Sequence, residues 1–306
     1  MLPDQIRRAL TLHGLTPATW IPDASGGREV EATIRVARVV EGPALGWHPV
    51  GLATSWTEPL AFLDGVQRSE IVPYAGAAPI VVARIAAAVR ERRDRTLSTV
   101  LETSRTLVIA RPSALARAGE ALAGLDTLAL PEDHPPHPVR DLVDARRALD
   151  RARGALEIGL GERYRETGDG WLIVDGSLAE SPRWAADPRM IGIAKSHATL
   201  PFEGDDLERY LRLPHGQRSS LFEPQTRSLA PVRSWALRLW PWEGRDLLYG
   251  LVRIEVAPVN GSPDAADRLS RFLLAERAPV SAPDLCWDRL LYGISAVEQY
   301  LRARLV

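Results

Sequence analysis

Cysteine is nearly absent from this chain. Cys286 stands alone in 306 residues, which excludes an internal disulfide and any multi-cysteine metal site, and fits a reducing compartment. Net charge is nearly absent too: 38 basic against 39 acidic residues leave −1. Bulk charge therefore gives no electrostatic case for nucleic acid, and any such binding must come from a local patch. There is no long hydrophobic run. The best, Ala75 to Val89, is interrupted by Arg84 and is too short to span a bilayer. The opening Met-Leu-Pro-Asp-Gln lacks the layout of a signal peptide, so a cytoplasmic protein is expected. No Walker loop, dinucleotide glycine fingerprint or G-x-S-x-G motif occurs. The usual sequence arguments for nucleotide binding and for serine hydrolysis are thus missing. Internal repeats and low-complexity tracts are missing as well.

What is present begins with an ordinary globular composition, 45% hydrophobic and 25% charged, enough to bury a real core. One stretch organises the rest. After a Gly-Asp-Gly turn, Trp171-Leu172-Ile173-Val174 forms a short apolar run that delivers Asp175-Gly176-Ser177-Leu178. A second run, Met190 to Ala194, ends in Lys195-Ser196-His197. The same device occurs earlier, where Pro59-Leu60-Ala61-Phe62-Leu63 runs into Asp64-Gly65. A carboxylate at the tip of a buried strand has a rigid support and a head near solvent. The plain alternative for either pair alone is a turn, since Asp-Gly is among the commonest turn signals.

Hydrophobic periodicity supplies the rest of the expected order. It predicts a helix over 4–13, a strand over 30–40 and a loop over 41–58. Three strands follow in succession as an antiparallel meander: 60–63 ending at Asp64-Gly65, then 67–74, then 79–88. Arg90 to Ser104 reads as a helix with a charged face, 106–110 as a short strand and 112–122 as a helix. The proline-rich 131–138 reads as a surface loop. The longest helical pattern is 139–165, with Leu142, Ala145, Leu149, Ala152, Leu156 and Leu160 on one face and Glu157 beside them. A short helix at 207–213, a loop at 218–224, a strand pair at 232–240 and 247–256, and helices over 263–276 and 283–305 close the chain. The class is α/β, with a mixed central sheet flanked by helices.

Asp64, Glu157 and Asp175 are the candidate metal ligands. Glu157 precedes Asp175 by a helix end, a turn and a returning strand, a path that could bring the two together. Clustered carboxylates repel one another at neutral pH, and a divalent cation removes that penalty. Hard oxygen ligands suit Mg²⁺ or Mn²⁺, which activate water and stabilise charge on a phosphodiester. Lys195 is the candidate phosphate contact. The plain alternatives are a solvated Glu157 paired with Arg153 or Arg151 and a solvent-facing strand end at Lys195. His197 is an isolated histidine, His134 and His137 sit among prolines, and Ser177 fits a turn hydrogen bond better than a nucleophile. Trp235, Trp240 and Trp242 suit either base stacking or packing.

The order Leu63-Asp64-Gly65, a long helix with Glu157, Ile173-Val174-Asp175-Gly176-Ser177-Leu178 and Ile191-Gly192-Ile193-Ala194-Lys195-Ser196 resembles NurA-type nucleases. Trp235 to Leu239 and Val252 to Val256 resemble that family's C-terminal half, and the likeness runs over about residues 55–305. The resemblance implies an RNase H-like core and Mn²⁺-dependent processing of DNA ends. It implies a homodimer working with a HerA-type hexameric ATPase. It gives Asp64, Glu157 and Asp175 the role of metal ligands, with Lys195 beside them. The chain then reads as a single domain over 1–306, with 1–55 as an N-terminal extension and 105–140 as an insertion. The first motif continues Gly65-Val66-Gln67 where the family has Gly-Ser, and two later positions differ. The family's late-strand tyrosine falls at Trp235, and the last helix, 286–305, has no histidine, Tyr292 being the nearest polar aromatic. Two other functions stay open: an interaction module that docks on a ring ATPase, and a carboxylate-pair hydrolase acting on sugars.

Overall fold

The computed structural model describes residues 33–93, 96–122, 124–225, 230–277 and 292–304. The expected helix over 4–13, Cys286 and the start of the last expected helix lie outside them. In chain order the elements are β1 (Thr33–Ile34), β2 (Arg38–Val39), β3 (Trp47–Pro49), β4 (Leu60–Ala75), β5 (Ala78–Arg93), β6 (Thr96–Ala110), α1 (Pro112–Ala118) and β7 (Asp126–Ala129). There follow α2 (Pro138–Thr167), β8 (Trp171–Asp175), α3 (Pro182–Ala186), β9 (Met190–Ala194), β10 (Thr199–Leu200) and α4 (Gly204–Leu211). The remainder is β11 (Gln217–Ser219), β12 (Phe222–Glu223), β13 (Arg233–Arg238), β14 (Leu251–Val256), α5 (Pro263–Ala275) and α6 (Tyr292–Arg304). The class is mixed α/β, as expected. The chain forms two compact units, one of residues 1–58 with 173–292 and one of 59–172 with 293–306.

The second unit is built on three long antiparallel strands. β4 pairs with β5 from Leu60↔Arg92 to Ile71↔Val81 without a break, and β5 pairs with β6 along nearly its whole length. β7 adds a parallel strand on the far side of β6. Two expectations change here. The expected helix from Arg90 to Ser104 is not formed: Arg90 to Arg93 end β5 and Thr96 to Ser104 open β6. These segments are paired on both sides or along a partly exposed ribbon edge, and cross-strand pairing overrides their helical bias. The expected strands 60–63 and 67–74 are one strand, and Asp64-Gly65 lies inside it, Gly65 opposite Ala87 in an unbroken ladder. A turn signal yields to pairing when both flanks have partners.

On one face of this ribbon lies α2, with Pro138 at its first turn and His137 as its N-cap. Its expected stripe is the packed one: Ala145, Ala148 and Leu149 are buried against Val81, Ala83, Ile85, Leu107 and Ile109, with Leu142, Ala152 and Leu156 alongside. Truncating Leu149 to Ala there would cost about 2–5 kcal/mol. α1 covers one end of the opposite face, packing on Ala78, Ile80, Val108 and Ala110. α6 covers the other end, where Phe62 fills the space beside Gly293 and the Arg90 guanidinium donates to the Ala296 carbonyl at 3.2 Å.

In the first unit the strand order is β2, β12, β13, β14, β9, β8, with β11 joining β13 to β3. β13 and β14 form the expected antiparallel pair, Arg233↔Val256 to Arg238↔Leu251. β14 in turn runs antiparallel to β9, Arg253↔Ala194 to Val256↔Ile191. β9 is buried throughout, as its uninterrupted apolar run requires. Segment 33–49, expected as one long strand and a loop, contributes three short strands, which pair with β10, β11 and β12. Among the described residues no helix is long and apolar enough to cross a membrane.

Candidate active site

In the second unit Asp64 and Glu157 flank Gly65. Asp64 is 5% exposed and Glu157 8%, low values for carboxylates. Asp64 Oδ1 accepts a hydrogen bond from the Gly65 amide at 2.7 Å. Glu157 comes down from α2 onto the same glycine: a Cβ at position 65 would lie 2.1 Å from Glu157 Oε1. Strand alternation points the Asp64 side chain away from the face that α2 covers, so the two acids approach Gly65 from opposite sides of β4. Glycine is the residue that leaves room for this. Arg153, one helical turn before Glu157, donates to Glu157 Oε1 at 2.5 Å and to Gln67 Oε1 at 3.2 Å. Gln67 donates to Asp150 at 2.9 Å, so α2 is pinned along β4 by polar contacts as well as by its apolar stripe.

In the first unit Asp175 ends β8 as expected and Gly176 makes the turn at φ 128°, a conformation that favours glycine. Lys195 Nζ lies 2.6 Å from Asp175 Oδ2, and both side chains remain partly open, at 19% and 25% exposure. Beneath the turn sits a residue the sequence pattern did not single out. Glu255 is fully buried; its Oε2 accepts from the Ser177 hydroxyl at 2.6 Å and from the Leu178 amide at 2.9 Å. Its other oxygen is held by Arg253 at 3.0 Å. Gly192 lets the turn lie close over β9, since a Cβ there would be 2.8 Å from the Gly176 carbonyl and 3.0 Å from Leu178. Ser177 is thus a turn residue. The one available signal for Glu255 was an acid at a strand position flanked by Ile254 and Val256, where a buried charge demands partners.

The other candidates are structural. His197 Nε2 is 3.0 Å from the Leu251 carbonyl, and its ring lies edge-on to buried Tyr210, whose hydroxyl burial pushes up to about 12. His137 Nδ1 caps α2, accepting from the Val139 and Arg140 amides. His134 is enclosed by Asp133, Asp141 and Asp144, its Nε2 3.3 Å from Asp144. Trp235 is fully buried and donates to Ser270 Oγ at 2.9 Å, which removes it from base stacking. Trp242 is buried too, and Trp240 carries the Arg277 guanidinium over its ring at 4.4 Å.

No family model and no curated protein matches this sequence. The structure does find a match. The crystal structure of the NurA nuclease from Sulfolobus solfataricus superposes with a TM-score of 0.53, over 83% of this chain and 81% of that one, at 12% identity. The two share a fold.

On this NurA-like fold the question is whether the acids suit a divalent ion. The donors are right, since Asp64, Glu157 and Asp175 offer only hard carboxylate oxygens. Among the described residues no group of three or more His, Cys, Asp or Glu stands ready to hold an ion. Cations of the chain fill part of that role, Arg153 on Glu157 and Lys195 on Asp175. The fit is therefore of ligands that an ion would have to take from their present partners. The described part of the last helix, α6, carries no histidine.

Proposed function

We propose that this protein is a cytoplasmic, divalent-metal-dependent deoxyribonuclease of NurA type, hydrolysing phosphodiester bonds in DNA end processing, repair or phage defence. Asp64, Glu157 and Asp175 are its Mn²⁺ or Mg²⁺ ligands in this reading. A homodimer working with a HerA-type hexameric ATPase is the assembly. The observation that carries it is the fold shared with a nuclease, in which two of these acids, Asp64 and Glu157, are buried on either side of the β4 backbone at Gly65. Buried acids on such a fold are candidates for charge chemistry.

A bound ion would lower the pKa of water and offset charge building up on the phosphodiester. The chain's own residues have separate tasks. Gly65 gives Glu157 its place. Glu255 and Gly192 fix the turn that carries Asp175. Lys195, now 2.6 Å from Asp175, would be the cation for a non-bridging phosphate oxygen, and Asp175 would be among the residues that hold the ion. The test is degradation of linear DNA with Mn²⁺, Mg²⁺ or EDTA. Asp64→Ala and Asp175→Ala are expected to lower the rate at least 100-fold with unchanged circular dichroism, a size consistent with loss of ion-held charge stabilisation of about 2.7 kcal/mol or more. Parent-like cleavage by both variants would remove these ligands from the mechanism.

A second reading is favoured by the same ion pairs. Arg153 and Lys195 already neutralise two of the acids, the arrangement expected of a catalytically weakened relative that serves as a docking module on the ring ATPase. Calorimetric titration with Mn²⁺ separates the two. Heat that disappears in Asp175→Ala supports the nuclease, and absence of heat in the parent supports the module.

A further inference from the structure

The three-stranded ribbon of the second unit carries a pair of arginines that its own architecture does not need. Arg68 on β4 and Arg84 on β5 are directly opposite each other in the antiparallel ladder, and Thr106 on β6 is directly opposite Arg84. The row beside them is Val66, Ala86 and Ser104. Arg68, Arg84, Ser104 and Thr106 are all exposed. Among the described residues neither guanidinium has an ion-pair or hydrogen-bond partner. Like charges directly opposite on a sheet are destabilising, and a sequence that keeps such a pair without compensation breaks a local rule. The acid on the same face one row outward is Glu70, opposite Val82.

The position of the pair gives it a purpose. Residues 64, 66 and 68 of β4 alternate onto one face, so Arg68 and Arg84 share the face to which Asp64 points, not the one α2 covers. On that face α1 packs on Ile80 and Val108, and α6 reaches Arg90 and Glu102. The arginine row falls between these two covered ends. It lies four residues from Asp64, about 13 Å along the strand.

We propose that Arg68 and Arg84, with the Ser104 and Thr106 hydroxyls beside them, form a track for the sugar-phosphate backbone of DNA on the Asp64 face of the ribbon. The track rests on the nuclease reading and adds where the substrate strand is held. Guanidinium groups take phosphate oxygens in bidentate fashion, and hydroxyls add neutral hydrogen bonds. A chain of net charge near zero needs such a local patch for any affinity at all.

The experiment is fluorescence anisotropy of a labelled duplex across a salt series, in EDTA so that nothing is cut. The parent is compared with Arg68→Gln/Arg84→Gln, with Arg68→Lys/Arg84→Lys, and with a control double variant on exposed α2 positions, Arg140→Gln/Arg163→Gln. Loss of two phosphate contacts is expected to reduce the slope of log K against log salt by about 1.8. The lysine variant should recover most of that slope, and the control should keep it. Thermal unfolding of the glutamine variant should be no lower than the parent's, because a repulsive pair has been removed. Equal slopes in the parent and the glutamine variant, or an equal loss in the control, overturn the track. If the parent still cleaves linear DNA with Mn²⁺, the nuclease reading survives that result. A parent that neither binds nor cleaves DNA overturns both.

Discussion

Gly65 shows how one missing side chain can set a site. Its ladder pairing is ordinary, so nothing in the backbone asks for glycine; the demand comes from Glu157. Gly65→Ala is expected to push Glu157 and Arg153 aside, at a cost of about 1–3 kcal/mol for overpacking. Urea denaturation measures that cost, and Mn²⁺-dependent cleavage should fall further than stability alone explains. Glu255 is the second such residue. Glu255→Ala strands Arg253 beside a buried space and frees the Leu178 amide, a loss on the order of 3 kcal/mol. Glu255→Gln keeps an acceptor for that amide and should retain more stability and more Asp175-dependent activity. A parent-like melting curve for Glu255→Ala would show that the turn is held by other contacts.

Among elements, the first unit is tied together by a buried arginine. Arg218 on β11 takes Glu41 in a two-pronged pair at 2.7 and 3.0 Å and reaches Asp267 on α5 at 2.5 Å. Burial raises the Glu41 pKa, but the Arg218 hydrogen bond, the Leu221 amide and the charges of Arg218 and His48 outweigh it and leave the carboxyl below its ordinary value. A carboxyl lower in the folded than in the unfolded chain stabilises the fold above the unfolded value and loses that contribution as pH falls through the folded one. Acid titration of the parent should therefore show stability lost below the ordinary glutamate range. Glu41→Gln should be less stable at neutral pH and show a shallower acid limb. Equal slopes from pH 7 to 3 would remove Glu41 from the acid response.

For the whole molecule, the near-balance of charge makes local placement decide what binds. The proposed homodimer predicts a sedimenting particle of twice the 33.6 kDa chain mass, and a larger complex when a HerA-type ATPase is added. A particle of single-chain mass at micromolar concentration would remove the dimer from the proposal.

Much of this architecture is written in local pattern. The stripe on α2, the unbroken apolar run of β9 and the β13–β14 pair are periodic signals, and each forms where its period places it. The second Asp-Gly is a turn because Gly176 follows the end of β8 and takes a positive φ. The first is not, because β5 supplies partners on through Gly65. Arg90 to Arg93 and Thr96 to Ser104 likewise became strand by pairing across the sheet, with β4 and with each other's strands. Glu255, the glycine contact of Glu157 and the facing of Arg68 and Arg84 were decided by tertiary structure alone. Each depends on which residue the fold sets opposite another, and that is a property of register and packing, not of neighbours in the chain.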